Sequence, residues 1–202
     1  MKKIVLAAAL IITGTTAALA QTSNTSSANA TLNVLVANVK SITVSSGTTV
    51  NINLDNTQKF TNAAGTTGVN GDVVSTLDVV SNGAYKVNVS LAGGETALKN
   101  TNNNATGITT IPAGNIYLAV SNPRQITAGS TVPSATFNTT GQNLINTPNS
   151  LIATPTAMAG NGNAGTSGTK YDVTYTLANF ANVASLATGT FTATVVYTIT
   201  DL

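Results

Sequence analysis

Hydrophobic and polar residues alternate along most of this chain with the period of two that is typical of β-strands. The clearest alternation predicts strands over residues 48–56, 84–92, 115–121, 170–180 and 189–202. Beyond the first twenty residues, no segment shows twelve residues of helical periodicity. Turn-separated segments, each with one apolar face, predict an all-β fold of about seven to nine strands.

The first patterned segment, residues 31–44, is predicted to be a strand that contains a bulge. Leu32, Val34 and Val36 share one face, and the pattern then shifts phase near Ala37. A shift of phase within a strand pattern is typical of a β-bulge or a bend.

Residues 72–92 are predicted to form a β-hairpin. Two alternating runs flank Asn82-Gly83. Asn-Gly is the strongest short hairpin signal, because both residues tolerate the positive φ of a type I′ turn.

The closing stretch is the best-patterned strand of the chain. Phe191, Ala193, Val195, Tyr197 and Ile199 lie on one face, with threonine at most of the positions between them. We expect this strand to be central, or paired along at least one long side, and we expect its removal to unfold the domain.

The N-terminus is predicted to be a signal peptide, residues 1–20. Two lysines precede nine apolar residues, and Ala18-Leu19-Ala20 matches a cleavage site, so that the mature chain begins at Gln21. The apolar run is too short to span a bilayer. The sequence therefore predicts export by the general secretory route to the cell surface, the periplasm or the extracellular space, with no transmembrane span after cleavage.

The mature chain divides into a flexible leader, residues 21–30, and a single domain, residues 31–202. We expect this domain to be an antiparallel β-sandwich of the Ig-like or Greek-key type, with a barrel as the structural alternative. Residues 122–168 are predicted to be a loop-rich, low-complexity insertion, because they contain four of the five prolines. Short apolar pieces at 135–137 and 151–152 are expected to be edge strands.

The charge of the chain excludes one class of partner. Loss of Lys2 and Lys3 from the eight basic residues leaves six, equal to the six acidic residues. The remaining basic residues are scattered singly, whereas nucleic-acid binding needs a basic patch. Charged residues make up 7% of the chain, and its 37 threonines and 25 asparagines supply the polar surface instead. This composition is typical of secreted or fibre-forming β-proteins.

Candidate chemistry is sparse. The chain has no histidine and no cysteine, which removes the usual general base, thiolate nucleophile and zinc ligands. Asp72 and Asp78 share one face of a predicted strand but lie roughly 20 Å apart, too far for a paired-carboxylate site. Asn70-Gly71-Asp72 could supply a calcium ligand, although a simple turn is the favoured interpretation. We therefore expect no enzymatic activity and no cofactor.

Four tyrosines fall in register with the apolar faces of predicted strands. They are Tyr85, Tyr171, Tyr175 and Tyr197. We expect them to fill the core, with each hydroxyl reaching a partner at its edge, rather than to form a ligand platform.

Two stretches, residues 78–91 and 189–202, resemble the two signature regions of WxL-domain surface proteins. Tyr85 and Val87 occupy the positions of the first Trp-x-Leu motif, and Tyr197 and Ile199 those of the second, so both tryptophans are replaced by tyrosine. The closing stretch is also similar to spore-coat-protein-U-like and fimbrial-type domains. The resemblance implies an exported, non-enzymatic surface protein that associates with the cell wall or with other surface proteins.

The expected function is that of a structural or adhesive β-sandwich at the cell surface or outside the cell. A concrete form is assembly by strand pairing, in which residues 21–44 add to the edge of a neighbouring subunit. The alternative is a module that binds cell-wall glycan or another polysaccharide through an exposed patch near Tyr117 or the 93–107 loop.

Overall fold

A computed structural model describes seven parts of the chain: residues 31–35, 39–102, 104–126, 136–137, 141–144, 151–154 and 168–202. The predicted signal peptide (1–20), the leader (21–30) and most of the 122–168 segment lie outside these described residues. The chain divides into two compact units, residues 1–36 and 37–202. In the first unit, residues 31–35 have no regular secondary structure and are exposed to solvent.

The second unit consists mainly of strands. In chain order they are β1 (Lys40–Ser46), β2 (Val69–Asn70), β3 (Ser75–Ser81), β4 (Tyr85–Leu91), β5 (Ala97–Asn100), β6 (Thr110–Pro112), β7 (Ile116–Gln125), β8 (Thr136–Phe137), β9 (Gln142–Asn143), β10 (Ile152–Thr154), β11 (Thr169–Leu177), β12 (Phe191–Thr192) and β13 (Val195–Asp201). One α-helix, α1 (Thr57–Ala64), and three 3₁₀ turns (Ala92–Gly94, Ala113–Asn115 and Val183–Ser185) complete the described elements. None of the described helices is long and apolar enough to cross a membrane.

The strands form three sheets, and all of their pairings are antiparallel. The first sheet has the order β1-β3-β11-β7-β9, with β2 also paired to β11. The second has the order β13-β4-β10-β8, and the third β12-β5-β6. The all-β prediction is confirmed. The strand count exceeds the expected seven to nine because several pairings extend over only two or three residues.

The two larger sheets contribute side chains to one hydrophobic core. Burial alternates along all nine residues of β11 and all seven of β4, as the sequence pattern predicts. Leu77 and Tyr171 from the first sheet and Val87 and Ile152 from the second are almost completely buried. These inward faces hold the two sheets against a common apolar centre.

The predicted hairpin over residues 72–92 is wrong. β3 pairs with β1 and β11 in the first sheet, whereas β4 pairs with β13 and β10 in the second. Neither Asn82 nor Gly83 has the positive φ of a type I′ turn. The Asn82 side chain instead accepts a hydrogen bond from the Val39 N–H at 2.8 Å. Asn-Gly therefore marks a corner that carries the chain from one sheet to the other.

The first predicted strand, residues 31–44, is shorter than expected. Regular pairing begins at Lys40, and Leu32 and Val34 are exposed in a segment without secondary structure. The predicted phase shift near Ala37 lies outside the described residues.

The predicted strand over residues 48–56 has the expected alternation but no partner among the described strands. Val50, Ile52 and Leu54 are half-buried and pack against the core, while the residues between them are exposed. The alternation reflects which side chains are buried. A ladder of backbone hydrogen bonds needs a second strand alongside as well. The segment thus has the burial pattern of a strand but is not paired with a described strand.

Helix α1 follows this segment and was not predicted. The side chain of Asn56 caps it by accepting a hydrogen bond from the Lys59 N–H at 3.0 Å. Gly65 ends the helix through bonds to Thr61 and Asn62. Eight residues are too few for a helical period to show, and only the cap residues signalled the helix.

The closing stretch forms two strands instead of one. β12 pairs with β5 in the third sheet, and β13 pairs with β4 over seven residues in the second. The prediction of pairing along at least one long side is confirmed. β13 is nevertheless an edge strand rather than a central one.

The 122–168 segment contributes more strand than its composition predicts. β7 continues past Pro123 because Asn122, with φ at 51°, and Pro123 form a bulge opposite Tyr171. β8 is an edge strand, as expected. β10, in contrast, lies between β4 and β8, which agrees with the complete burial of Ile152 and corrects its assignment as an edge.

Candidate functional site

A cavity of about 890 Å³ opens along one side of the second unit. Two continuous chain segments, residues 47–55 and residues 186–195, contribute much of its lining and are called its first and second walls. We call this cavity with its two walls the seam. The cavity is open to solvent, so it is a cleft in the surface and not a void within the core.

The seam is lined mainly by apolar side chains. Val50, Ile52 and Leu54 line it from the first wall, and Phe191 and Val195 from the second. Its floor is formed by core residues, namely Leu91, Leu98, Ile111, Ile116 and Leu177. Apolar side chains that line an open cavity stay partly in contact with solvent, so these walls gain less from burial than the core beneath them.

Asp72 holds the first wall in place. Its carboxylate accepts hydrogen bonds from the Asn51 backbone N–H at 2.8 Å and from the Asn51 side-chain amide at 2.9 Å. The Asp72 N–H in turn donates to the Asn51 carbonyl oxygen at 2.8 Å. The bonds from Asn51 lower the pKa of the Asp72 carboxyl below its usual value. These bonds give Asp72 a structural role, and its alternative role as a calcium ligand stays a prediction.

The backbones beside the seam are unpaired on one side. No described strand pairs with residues 47–55, and β1 and β13 each have a single partner, β3 and β4. An ion pair between Lys40 and Asp201 links these two edge strands. Free sheet edges present rows of N–H and C=O groups that can pair with a further strand.

Two tyrosine pairs connect the sheets behind the seam. The Tyr85 and Tyr171 hydroxyls lie 3.1 Å apart, and the Tyr175 and Tyr197 hydroxyls are also hydrogen-bonded. Tyr171 and Tyr175 are on β11, and their partners are on the second sheet. Burial raises the pKa of Tyr171, Tyr175 and Tyr197, so these hydroxyls stay protonated and can donate. The prediction that the tyrosines fill the core with partnered hydroxyls is confirmed.

The four WxL-like positions lie together on two neighbouring strands. Tyr85 and Val87 are on β4, Tyr197 and Ile199 are on β13, and Val87 lies directly opposite Ile199. All four side chains belong to the core or pack against it. Tyr197 also lines the seam, which connects the closing stretch to this site.

Each of the six carboxylates has a partner in the structure. Five form ion pairs: Asp55 with Lys59, Asp78 with Lys170, Glu95 with Lys99, Asp172 with Arg124 and Asp201 with Lys40. The sixth, Asp72, is bound by Asn51. Asp72 and Asp78 do not share a strand, because β3 begins at Ser75. Within the described residues, no group of three acidic residues is arranged to hold a metal ion.

A second, smaller groove of about 290 Å³ surrounds Tyr117. The Tyr117 hydroxyl accepts a hydrogen bond from the Asn179 side chain at 3.0 Å, and Thr176 donates to Asn70 across the groove at 2.7 Å. The other predicted glycan-binding region, the 93–107 loop, contains β5. Two of its asparagine side chains, at 100 and 102, bond to nearby backbone.

The seam itself was not predicted. Its first wall has the pattern of a paired strand, and sequence alternation does not reveal whether a partner strand is present. Comparison with known proteins adds no assignment: no protein-family model matches the chain, and no curated protein sequence matches it significantly. The resemblance to WxL-domain proteins therefore stays a prediction.

Proposed function

We propose that this protein is an exported, non-enzymatic structural or adhesive subunit of the cell surface or extracellular space, which assembles by strand pairing. In this proposal the first and second sheets are the two layers of a β-sandwich. The observation that carries it is the seam, an apolar cavity lined by two chain segments, the first of which, residues 47–55, pairs with no described strand.

Physical reasoning supports an occupied seam. A strand inserted between the two walls would bury apolar side chains on both of them and satisfy the free backbone groups. Both contributions favour association, and recognition by strand addition uses the same combination of main-chain hydrogen bonds and side-chain pockets.

The composition and the charged groups support a structural role. The chain lacks histidine and cysteine, and its carboxylates are committed to cations or, at Asp72, to the Asn51 amide. Such partners hold surface strands in register. Ser45 and Lys170, for example, both donate to Asp78 from the strands on either side of β3, at 2.7 Å each.

The assembly state tests this proposal. The chain is expressed from its own first residue, purified, and studied by light scattering after size exclusion and by negative-stain microscopy over a range of concentrations. We expect oligomers or filaments whose population grows with concentration. A protein that stays monomeric at its highest soluble concentration would contradict the proposal.

The groove around Tyr117 supports a second candidate, a cell-wall or polysaccharide-binding module. A half-buried tyrosine flanked by asparagine and threonine side chains offers both an apolar ring and polar groups to a sugar. The test is retention on insoluble cell wall. We expect Tyr117→Ala to lose retention and Tyr117→Phe to keep most of it, and absence of retention by the wild type would count against this candidate.

A further inference from the structure

We propose that the seam is an acceptor for residues 31–35 of a second copy of this chain. The inference rests on the proposed assembly by strand pairing, and it names both the inserting segment and its binding site.

The donor segment has apolar side chains that are exposed to solvent. Leu32 is 86% exposed, Val34 76% and Leu35 96%. Isolated exposed apolar residues are common in proteins, but a run of them indicates an interaction surface. Leu32 and Val34 alternate with polar Thr31 and Asn33, so in an extended conformation they present one apolar face.

The acceptor wall matches this face in length and chemistry. Once extended, residues 31–35 would span about 17 Å, and the apolar part of the wall, residues 50–54, has the same number of residues. Leu32 and Val34 would then face the apolar positions Val50, Ile52 and Leu54.

Charge also favours this pairing. Residues 31–35, 47–54 and 186–195 contain no charged side chain. Asp55, at the end of the first wall, is the charged residue among those that line the seam, and it is paired with Lys59. Insertion beside residues 50–54 therefore removes no ion from water.

Each copy of the chain carries both an exposed apolar segment and an open apolar seam. Exchange between two copies can therefore cover both of them. Cross-linking of separately purified variants, described below, distinguishes this exchange from insertion within one copy.

A double variant of the donor tests the inference. Leu32→Asn/Val34→Asn alters two exposed side chains outside the core, so the fold, checked by circular dichroism and thermal melting, is expected to persist. We expect association, measured by light scattering, to weaken by about 100-fold or more, because two aliphatic side chains lose their burial. The matched control is Thr31→Ser/Asn33→Ser, which alters the polar face of the same segment and is expected to assemble like the wild type.

Cross-linking locates the contact, and the absence of native cysteine makes it specific. Val34→Cys and Ile52→Cys are purified separately under reducing conditions, mixed, and oxidised by dissolved oxygen. We expect a disulfide-linked dimer containing one molecule of each variant. The control pairs Val34→Cys with Ser121→Cys, an exposed position on β7 outside the seam, and is expected to give little dimer.

The outcomes separate the two proposals. A monomeric wild type contradicts assembly and, with it, this inference. If the wild type assembles but the double variant assembles equally well, or if cross-linking is no greater with Ile52→Cys than with Ser121→Cys, the inference is overturned. Assembly by another surface would then remain.

Discussion

Residues 47–55 and strand β13 have nearly the same pattern and different surroundings. Both alternate with period two, and both present half-buried valine and isoleucine side chains to the core. β13 is paired with β4 over seven residues. Residues 47–55, in contrast, are hydrogen-bonded mainly through Asn51 to Asp72, in the segment before β3. The difference shows that periodicity identifies a buried face, while pairing depends on which backbone lies alongside. It also locates the segment at which we propose that a second copy adds a strand.

Deletion of residues 189–202 is expected to have the largest effect. It removes β12 and β13, one wall of the seam and the bond between Tyr175 and Tyr197. The lost apolar face contributes about 1 kcal/mol for each of its larger side chains, and the total approaches the net stability of a domain. We expect no cooperative thermal transition by circular dichroism. Deletion of Leu202 alone is the control, and a cooperative melt of the longer deletion would refute the prediction.

Alanine at matched isoleucines compares the two regions directly. Ile199→Ala on β13 is expected to lower the free energy of unfolding by about 2 kcal/mol, since it removes atoms from a packed site. Ile52→Ala is expected to cost less than about 1 kcal/mol in the monomer, because its half-buried side chain lines the open seam. Urea denaturation measures both. Val196→Ala, on the exposed face of β13, is the control, and equal losses at Ile199 and Ile52 would contradict the comparison.

Removal of one hydroxyl tests how β13 is held to the first sheet. Tyr197→Phe leaves the buried Tyr175 hydroxyl without this partner and is expected to lower the free energy of unfolding by about 1 kcal/mol. The double variant Tyr175→Phe/Tyr197→Phe is expected to lose less than the single one, because no hydroxyl is then left unmatched at this position. Tyr117→Phe, outside this pair, serves as the control. If the free-energy losses of the two single substitutions simply add in the double variant, the two hydroxyls act independently.

Asp72→Ala is expected to have the smallest global effect and a clear local one. It removes the carboxylate that binds Asn51, so the amides of residues 47–55 should exchange hydrogen faster, with little change in β13. Hydrogen exchange followed by mass spectrometry measures both regions in one experiment. Asp55→Ala, which breaks an exposed ion pair with Lys59 nearby, is the control. Unchanged exchange over residues 47–55 would mean that the first wall is held by other contacts.

The sequence was informative wherever a local pattern was sufficient. Alternation located β4 and β11, and the register of the tyrosines with apolar neighbours predicted their burial. It was misleading at Asn82-Gly83, because a residue that tolerates positive φ does not have to adopt it. Helix α1 was missed because eight residues, recognisable only from the Asn56 cap, are too short for a period to appear.

The candidate site was predictable only in part. The apolar face that includes Tyr197 was visible from spacing, and so was the apolar segment at 31–35. The seam depends on residues 47–55 and 186–195, which are more than 130 positions apart, lining one cavity. No local pattern carries that information.

The sequence by itself determined the secondary-structure class, the inward faces of the long strands and the absence of histidine and cysteine, since these follow from residue type and period. Only the tertiary structure decided that β3 and β4 belong to different sheets, that β13 is an edge, and that no described strand pairs with residues 47–55. The physical reason is that a strand can satisfy its buried face within one layer, whereas its backbone hydrogen bonds depend on distant segments of the chain.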